Sequence, residues 1–271
     1  MRNSFAFSAA IFLATYSIGG LPSSGFGQTE VGATPRVATV PAVPVAGASS
    51  PLAASAQPLK FTFLLFWKEN NANVQQMAET LKAASASRPG RMEWSSVNVA
   101  DAANQPLVER YQVSRAPMPL VLCVASNGAI TGAYVRQFNE AAVERAIVTP
   151  AMADATKALQ DKKIVLLHIK PDSQSPLPFG AAEFAADPLF QARTTIVNLV
   201  ATDPAEARFL TDMKVTAEDV RDPMLVVMAP PAVLVGKFAA TTTKDQIAAQ
   251  LHAAGKCCDD PNCTHNKGAQ Q

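Results

Sequence analysis

The chain is short of most features that narrow a function. Only 17% of its 271 residues are charged, and they nearly cancel, leaving a net charge of +1. That gives no basic field for nucleic acid and no acidic field for cationic partners. No cluster of Lys and Arg stands out along the chain. Cysteine is scarce, with four residues, and histidine scarcer, with three. Outside the first residues, no apolar run approaches the roughly 20 residues that a membrane-spanning helix needs. No nucleic-acid partner and no stable membrane span after signal cleavage are therefore expected.

What is present begins at the N-terminus. Arg2 precedes an apolar run, Phe5–Ile18, which is followed by small residues ending in Gly25-Phe26-Gly27. A charged start, an apolar middle and a small-residue end are the pattern of a secretory signal. We read residues 1–27 as a signal peptide cut near Gly27 or Gln28, the alternative being an uncleaved signal anchor. No cysteine follows the run, so a bacterial-type lipid anchor is not expected there. The expected location is secreted or periplasmic. Residues 28–59 are rich in Pro, Ala and Ser without a period. Such a segment cannot bury a core and reads as a disordered linker.

Beyond Leu59 the hydrophobic pattern alternates between strands and helices. Lys60–Trp67 is an unbroken apolar strand. Asn70, Asn71 and Asn73 offer helix caps, and Val74, Met77, Ala78, Leu81 and Ala84 share one helical face. Further strands are expected at Trp94–Val99, Pro119–Ala125 and Ala129–Tyr134, with a turn at Ser126-Asn127-Gly128. Short helices are expected at Gln105–Tyr111 and from Asn139 to Ile147. Met152–Leu159 then bridges to a second half with the same order. There, strands are expected at Lys163–Ile169, Thr195–Val200, Met224–Met228 and Val233–Phe238, and helices at Ala181–Gln191, Pro204–Met213 and Thr243–Ala254. Asn98 and Asn198, then Pro119 and Pro223, keep a nearly constant separation, as in an internal duplication. Strand–helix alternation closed by a hairpin and a helix argues an α/β fold with a mixed sheet flanked by helices.

The residues Val97-Asn98-Val99-Ala100-Asp101, then Val108–Val113, then Met118-Pro119 before a strand, and Asn127-Gly128, resemble the thioredoxin family. The resemblance implies two tandem thioredoxin-like domains, at 60–150 and 161–254. It also implies a cis proline at Pro119, facing the site where the family keeps Cys-x-x-Cys, and Pro223 occupies the same place in the second half. This chain has Asn71-Ala72-Asn73-Val74 in that window, and Ser173-Gln174-Ser175-Pro176 in the second half. Without a thiolate, disulfide exchange has no nucleophile there. What the resemblance leaves is a peptide groove: Asn71 and Asn73 beside Pro119, with Pro223 in the second half. The two asparagines either bond a peptide or simply cap the helix. Cys123, mid-strand, reads as a small buried hydrophobe. His168 and His252 read as structural, and Trp67 and Trp94 as core or rim aromatics.

The segment 255–271 is different. Cys257, Cys258, Cys263 and His265 fall within nine residues. Three thiols and one imidazole suit Zn²⁺, and soft sulfur also suits Cu(I). The competing readings are a disulfide of Cys263 with Cys257 or Cys258, a redox-active tail, and an idle one. The sequence as a whole reads as an exported, non-catalytic thioredoxin-like binding or scaffold protein. Its partner would be a protein or peptide, and its tail would bind zinc or copper. The alternatives are a thiol–disulfide oxidoreductase or a metal carrier acting through the tail cysteines.

Overall fold

The computed structural model describes residues 59–216 and 219–255. The expected signal segment, the linker before Leu59 and the tail residues Cys257, Cys258, Cys263 and His265 lie outside them. No helix among the described residues is long and apolar enough to cross a membrane.

The first sheet has the order β2-β1-β3-β4. β1 (Phe61–Trp67) lies parallel to β2 (Met92–Asn98) and antiparallel to β3 (Leu120–Ala125), which pairs antiparallel with β4 (Ile130–Val135). β1 is apolar on both sides because both of its faces are covered. Phe61, Phe63 and Leu65 pack with α1 (Ala72–Ser87) and α3 (Glu140–Ala146). Leu64 and Phe66 pack with α2 (Gln105–Arg110) on the opposite face. α1 buries Val74, Met77, Leu81 and Ala84, the helical stripe read from the sequence. Leu81 is wholly enclosed, so truncation to Ala would cost about 2–5 kcal/mol. The ends of α1 are fixed locally. Asn71 caps its start, and Gly90 turns the chain away at a φ of +75° that favours glycine.

The second sheet repeats the first, in the order β6-β5-β7-β8. β5 (Ile164–Lys170) pairs parallel with β6 (Thr194–Val200) and antiparallel with β7 (Met224–Ala229). β8 (Val233–Ala239) closes the hairpin. α4 (Pro150–Gln160) and α6 (Ala207–Asp212) cover one face, and α5 (Phe179–Ala186) and α7 (Lys244–Ala253) the other. Each half also repeats the other's irregularities. Gln112 and Lys214 sit at φ 51° and 54°, each just before a buried valine. Asp101 and Asp203 each accept a bond from a backbone N–H two residues on, at 2.9 Å. Each final hairpin carries a bulge, at Cys123/Val124 and at Val227/Met228. Each final strand has a glycine with an aromatic ring two residues later. A Cβ at Gly132 would come within 2.6 Å of the Tyr134 ring, and one at Gly236 within 3.0 Å of the Phe238 ring.

α4 is more than the bridge its sequence suggested. Its Ala151, Ala155 and Ala158 are buried in the second core. Its other contacts reach back to the first sheet. Asp154 accepts a bond from Asn127 at 2.8 Å, and the Gln160 side chain bonds both backbone groups of Ile130 on β4, at 3.0 and 2.8 Å. Arg208 on α6 adds a bond to the Glu144 carbonyl of α3, at 3.1 Å.

Candidate functional site

The register Phe66↔Leu120 brings the end of β1, the start of α1 and the loop before β3 to one end of the first sheet. Met118–Pro119 is cis there, and Pro119 is buried. Met118 packs against the core on the α2 side. The Pro119 carbonyl accepts from the Arg136 N–H at 2.9 Å, which ties the loop to the strand after it. Trp67 is half-buried and donates from Nε1 to Ser96 Oγ at 2.7 Å. At the helix start, Asn71 Oδ1 accepts from the Val74 N–H at 3.1 Å. That oxygen is thus committed to capping, while Asn73 stands exposed on the first turn.

The second sheet departs from the first at the equivalent end. Asp222–Pro223 is trans, contrary to the reading from the sequence. Asp222 is exposed and Met118 is packed, so nothing holds the second bond against the usual trans preference of about 0.5–1 kcal/mol. The other cis bond among the described residues is Pro230–Pro231, in the β7–β8 turn. The window Ser173–Pro176 is not a helix start either. Asp172 Oδ1 accepts from the N–H groups of Gln174 and Ser175, at 2.8 and 2.9 Å. This closes a side-chain-to-backbone turn that holds the chain in a loop, and α5 begins only at Phe179.

Thiol chemistry among the described residues reduces to Cys123. It is 0% exposed in the centre of β3, and burial pushes its thiol up to about 12, with the nearby Thr131 hydroxyl opposing the shift. Thr131 Oγ1 lies 3.2 Å from the sulfur and 2.7 Å from the Ala146 carbonyl. Such a thiol is neutral at physiological pH and out of reach of a substrate. His168 is equally enclosed on β5. Its Nδ1 lies 3.1 Å from Asn198 Oδ1, and burial pulls its pKa below the ordinary 6.5, with Asn198 opposing. Nε2 meets no partner in hydrogen-bond geometry, although the Pro176 carbonyl is near enough to oppose the shift. His252 lies half-buried on α7. No group of three His, Cys, Asp or Glu side chains among the described residues could hold a metal ion.

Glu206 was not anticipated. It is 6% exposed, and its Oε2 accepts from Thr149 Oγ1 at 2.7 Å. Thr149 in turn caps α4 by accepting from the Met152 N–H at 3.2 Å. Burial pushes the Glu206 carboxyl up from 4.5, the Thr149 bond opposing and Asp203 adding to the rise. The Thr149-Pro150 pair was the available signal, since a capping residue before a proline marks a helix start whose N–H groups attract a carboxylate.

No protein-family model matches the chain, and no curated protein matches it. Several solved structures are similar to it. One is the N-terminal N/C domain of alkylhydroperoxide reductase AhpF from Enterococcus faecalis, with 13% identity over 71% of this chain and 91% of that one, at a TM-score of 0.28. The first two thioredoxin domains of Saccharomyces cerevisiae Eps1p show 14% identity over 75% and 97%, at 0.26. The zinc-bound form of human ERp44 shows 12% over 74% of this chain, at 0.30, and the likeness spans 57% of that protein. Fold assignment rests instead on the strand order, the parallel first pair, the closing antiparallel hairpin and the covering helices of each half. Between residues 59 and 255 the chain is two tandem thioredoxin-like domains.

Proposed function

We propose that the chain is an exported, non-catalytic binding or scaffold protein for a protein or peptide partner. One observation carries the non-catalytic part. Where the first domain brings a helix start beside a cis proline, it presents Asn71-Ala72-Asn73-Val74, and its one described thiol is enclosed and held protonated. A nucleophile for disulfide exchange must be an accessible thiolate. Insulin reduction by the full chain tests this. The triple variant Cys257→Ser, Cys258→Ser, Cys263→Ser should show only background turnover. Turnover by that variant would overturn the reading. Turnover by the unaltered chain alone would favour the alternative, an oxidoreductase acting through its tail.

The second element is the C-terminal tail, read as a site for one Zn²⁺ or Cu⁺ held by Cys257, Cys258, Cys263 and His265. The support is the density of soft ligands in nine residues, which no core requires. A metal carrier differs from a structural site by rapid exchange with a chelator. Export rests on the pattern of residues 1–27 and is tested by the mass of the protein recovered outside the cytoplasm.

A further inference from the structure

His168 holds a place that the first domain gives to an apolar residue. Leu65 pairs with Ser96 and Val121, and His168 with Asn198 and Leu225, so the two are counterparts on the central strands β1 and β5. Both are enclosed, at 0% and 1% exposed. His168 follows Ile164 and Leu166 on the β5 face that carries α5 and α7.

The chain above them differs. Residues 68–71 separate β1 from α1, whereas residues 171–178 separate β5 from α5. The longer loop is held at few points. Asp172 takes the N–H groups of Gln174 and Ser175, and Lys170 Nζ donates to the Ser173 carbonyl at 3.1 Å. Leu177 packs on the rim of the core. Pro178 is buried, and its carbonyl accepts from the N–H groups of Ala181 and Ala182, at 3.0 and 3.1 Å, which starts α5. The Pro176 carbonyl lies beside the imidazole.

A neutral ring suits this site and a charged one does not. Nδ1 has Asn198 as its partner, while Nε2 is enclosed without one. A second proton would place a charge out of reach of water. The surrounding charges do not offset it. Lys170 on the same strand opposes protonation. β6 and β7 carry no charged side chain. In the loop, Asp172 is exposed and engaged with its own turn. On α5, Glu183 is exposed. On α7, Asp245 is exposed, Lys244 is paired with Asp187 at 3.0 Å, and His252 would add only a like charge.

The proton is accepted freely only when the ring reaches water, where imidazole titrates near 6.5. Strands β6, β5 and β7 are tied by continuous ladders, so the loop is the element that opens with least loss.

We propose that residues 173–178 form an acid-released strap: protonation of His168 lifts them from the end of β5 and uncovers the start of α5. The covered form is fully favoured well above pH 6.5 and loses ground as pH falls below it. A ring that stays neutral while covered sets a ceiling of about thirtyfold on the rise of the open form at about pH 5. Asp172 remains ionised there, because its bonds to the loop hold its carboxyl below the ordinary 3.8.

Amide hydrogen exchange of the full chain, read by NMR as protection factors at about pH 7.5 and pH 5, tests the strap. Ala181 and Ala182 should lose about tenfold or more in protection on acidification, while Leu166 and Val226 keep theirs. Two variants remove the titrating group: His168→Leu installs the residue of the first domain, and His168→Gln keeps a polar partner for Asn198. With folding checked by circular dichroism, either should abolish the loss. A loss that persists in both variants, unchanged protection in the unaltered protein, or equal losses at Leu166 and Val226 would each overturn the proposal. So would a gain in protection at pH 5, which would mean that the charged ring grips the Pro176 carbonyl instead.

Discussion

Gln160 and Ile130 form a pair of hydrogen bonds in which a side-chain amide takes the place of a neighbouring strand. Gln160 Oε1 accepts from the Ile130 N–H at 3.0 Å, and Gln160 Nε2 donates to the Ile130 carbonyl at 2.8 Å. The second domain thereby covers the edge of the first at this point. Each bond is worth about 0.5–1.5 kcal/mol net. Gln160→Ala should lower stability by about 1–3 kcal/mol in a urea titration. It should also speed hydrogen exchange at the Ile130 amide far more than in β1. Unchanged exchange at Ile130 would mean that the pair closes nothing.

Cys123 gives a pH signature. Its folded pKa of about 12 lies above the ordinary 9.0. The contribution of this group to stability is therefore complete below about pH 9 and is lost as pH rises towards 12. Cys123→Ala should flatten part of the alkaline decline in melting temperature, and cost about 1–2 kcal/mol at neutral pH through lost packing. Iodoacetamide labelling of the native protein, read by mass spectrometry, should leave Cys123 unmodified until denaturant is added.

Glu206 should act at lower pH with the same sign. Its folded pKa is raised from 4.5 by burial, so its contribution is fully present below about 4.5 and is lost as pH rises through the raised value. Glu206→Gln keeps an acceptor for the Thr149 hydroxyl and removes the buried charge. The variant should match the unaltered protein near pH 4 and melt higher at pH 7. A lower melting temperature at pH 7 would show that the start of α4 repays the charge in full. Thr149→Val removes both the cap and the Glu206 partner, and should cost about 1–2 kcal/mol.

The tail prediction follows from ligand chemistry alone. Thiols must be deprotonated and imidazole neutral to hold metal, so affinity should fall as pH drops through the histidine range near 6.5. Reduced, intact protein should bind about one equivalent of zinc or copper at neutral pH, and the pair Cys258→Ser, Cys263→Ser should bind none. Less than about 0.1 equivalent, with one thiol pair lost to oxidation, would leave a disulfide in its place.

The alternation of strands and helices was legible because each element carries its own period. The buried positions of α1 follow helical spacing, and β1 is apolar on both faces because a central strand must be. Asn127-Gly128 announced the first hairpin, and Gly128 does adopt a φ of +84°. Placement that depends on tertiary partners was not legible. The buried side of α4 is built from alanines, whose small side chains mark a helical face only weakly. Glu206, in the run Pro-Ala-Glu-Ala-Arg, reads as a solvated residue until Thr149 is brought against it. Pro223 matches Pro119 by position, yet no packed Met118 stands before it. Of the groove candidates, only Asn71 has a role fixed locally, and the helix itself uses its oxygen.

The glycine and ring on each final strand carry a consequence for sequence change. At Gly132 and at Gly236 the ring two residues on occupies the space that a side chain would need. Neither member of such a pair can change freely by itself: a methyl group meets the ring, and loss of the ring uncovers bare backbone. Evolution can pass from one solution to another only by moving both positions, so each pair should behave as a single heritable unit. The same constraint bears on engineering. Gly132→Val or Tyr134→Ser alone should be costly, while the two combined should cost less than their sum, as expected for residues in contact.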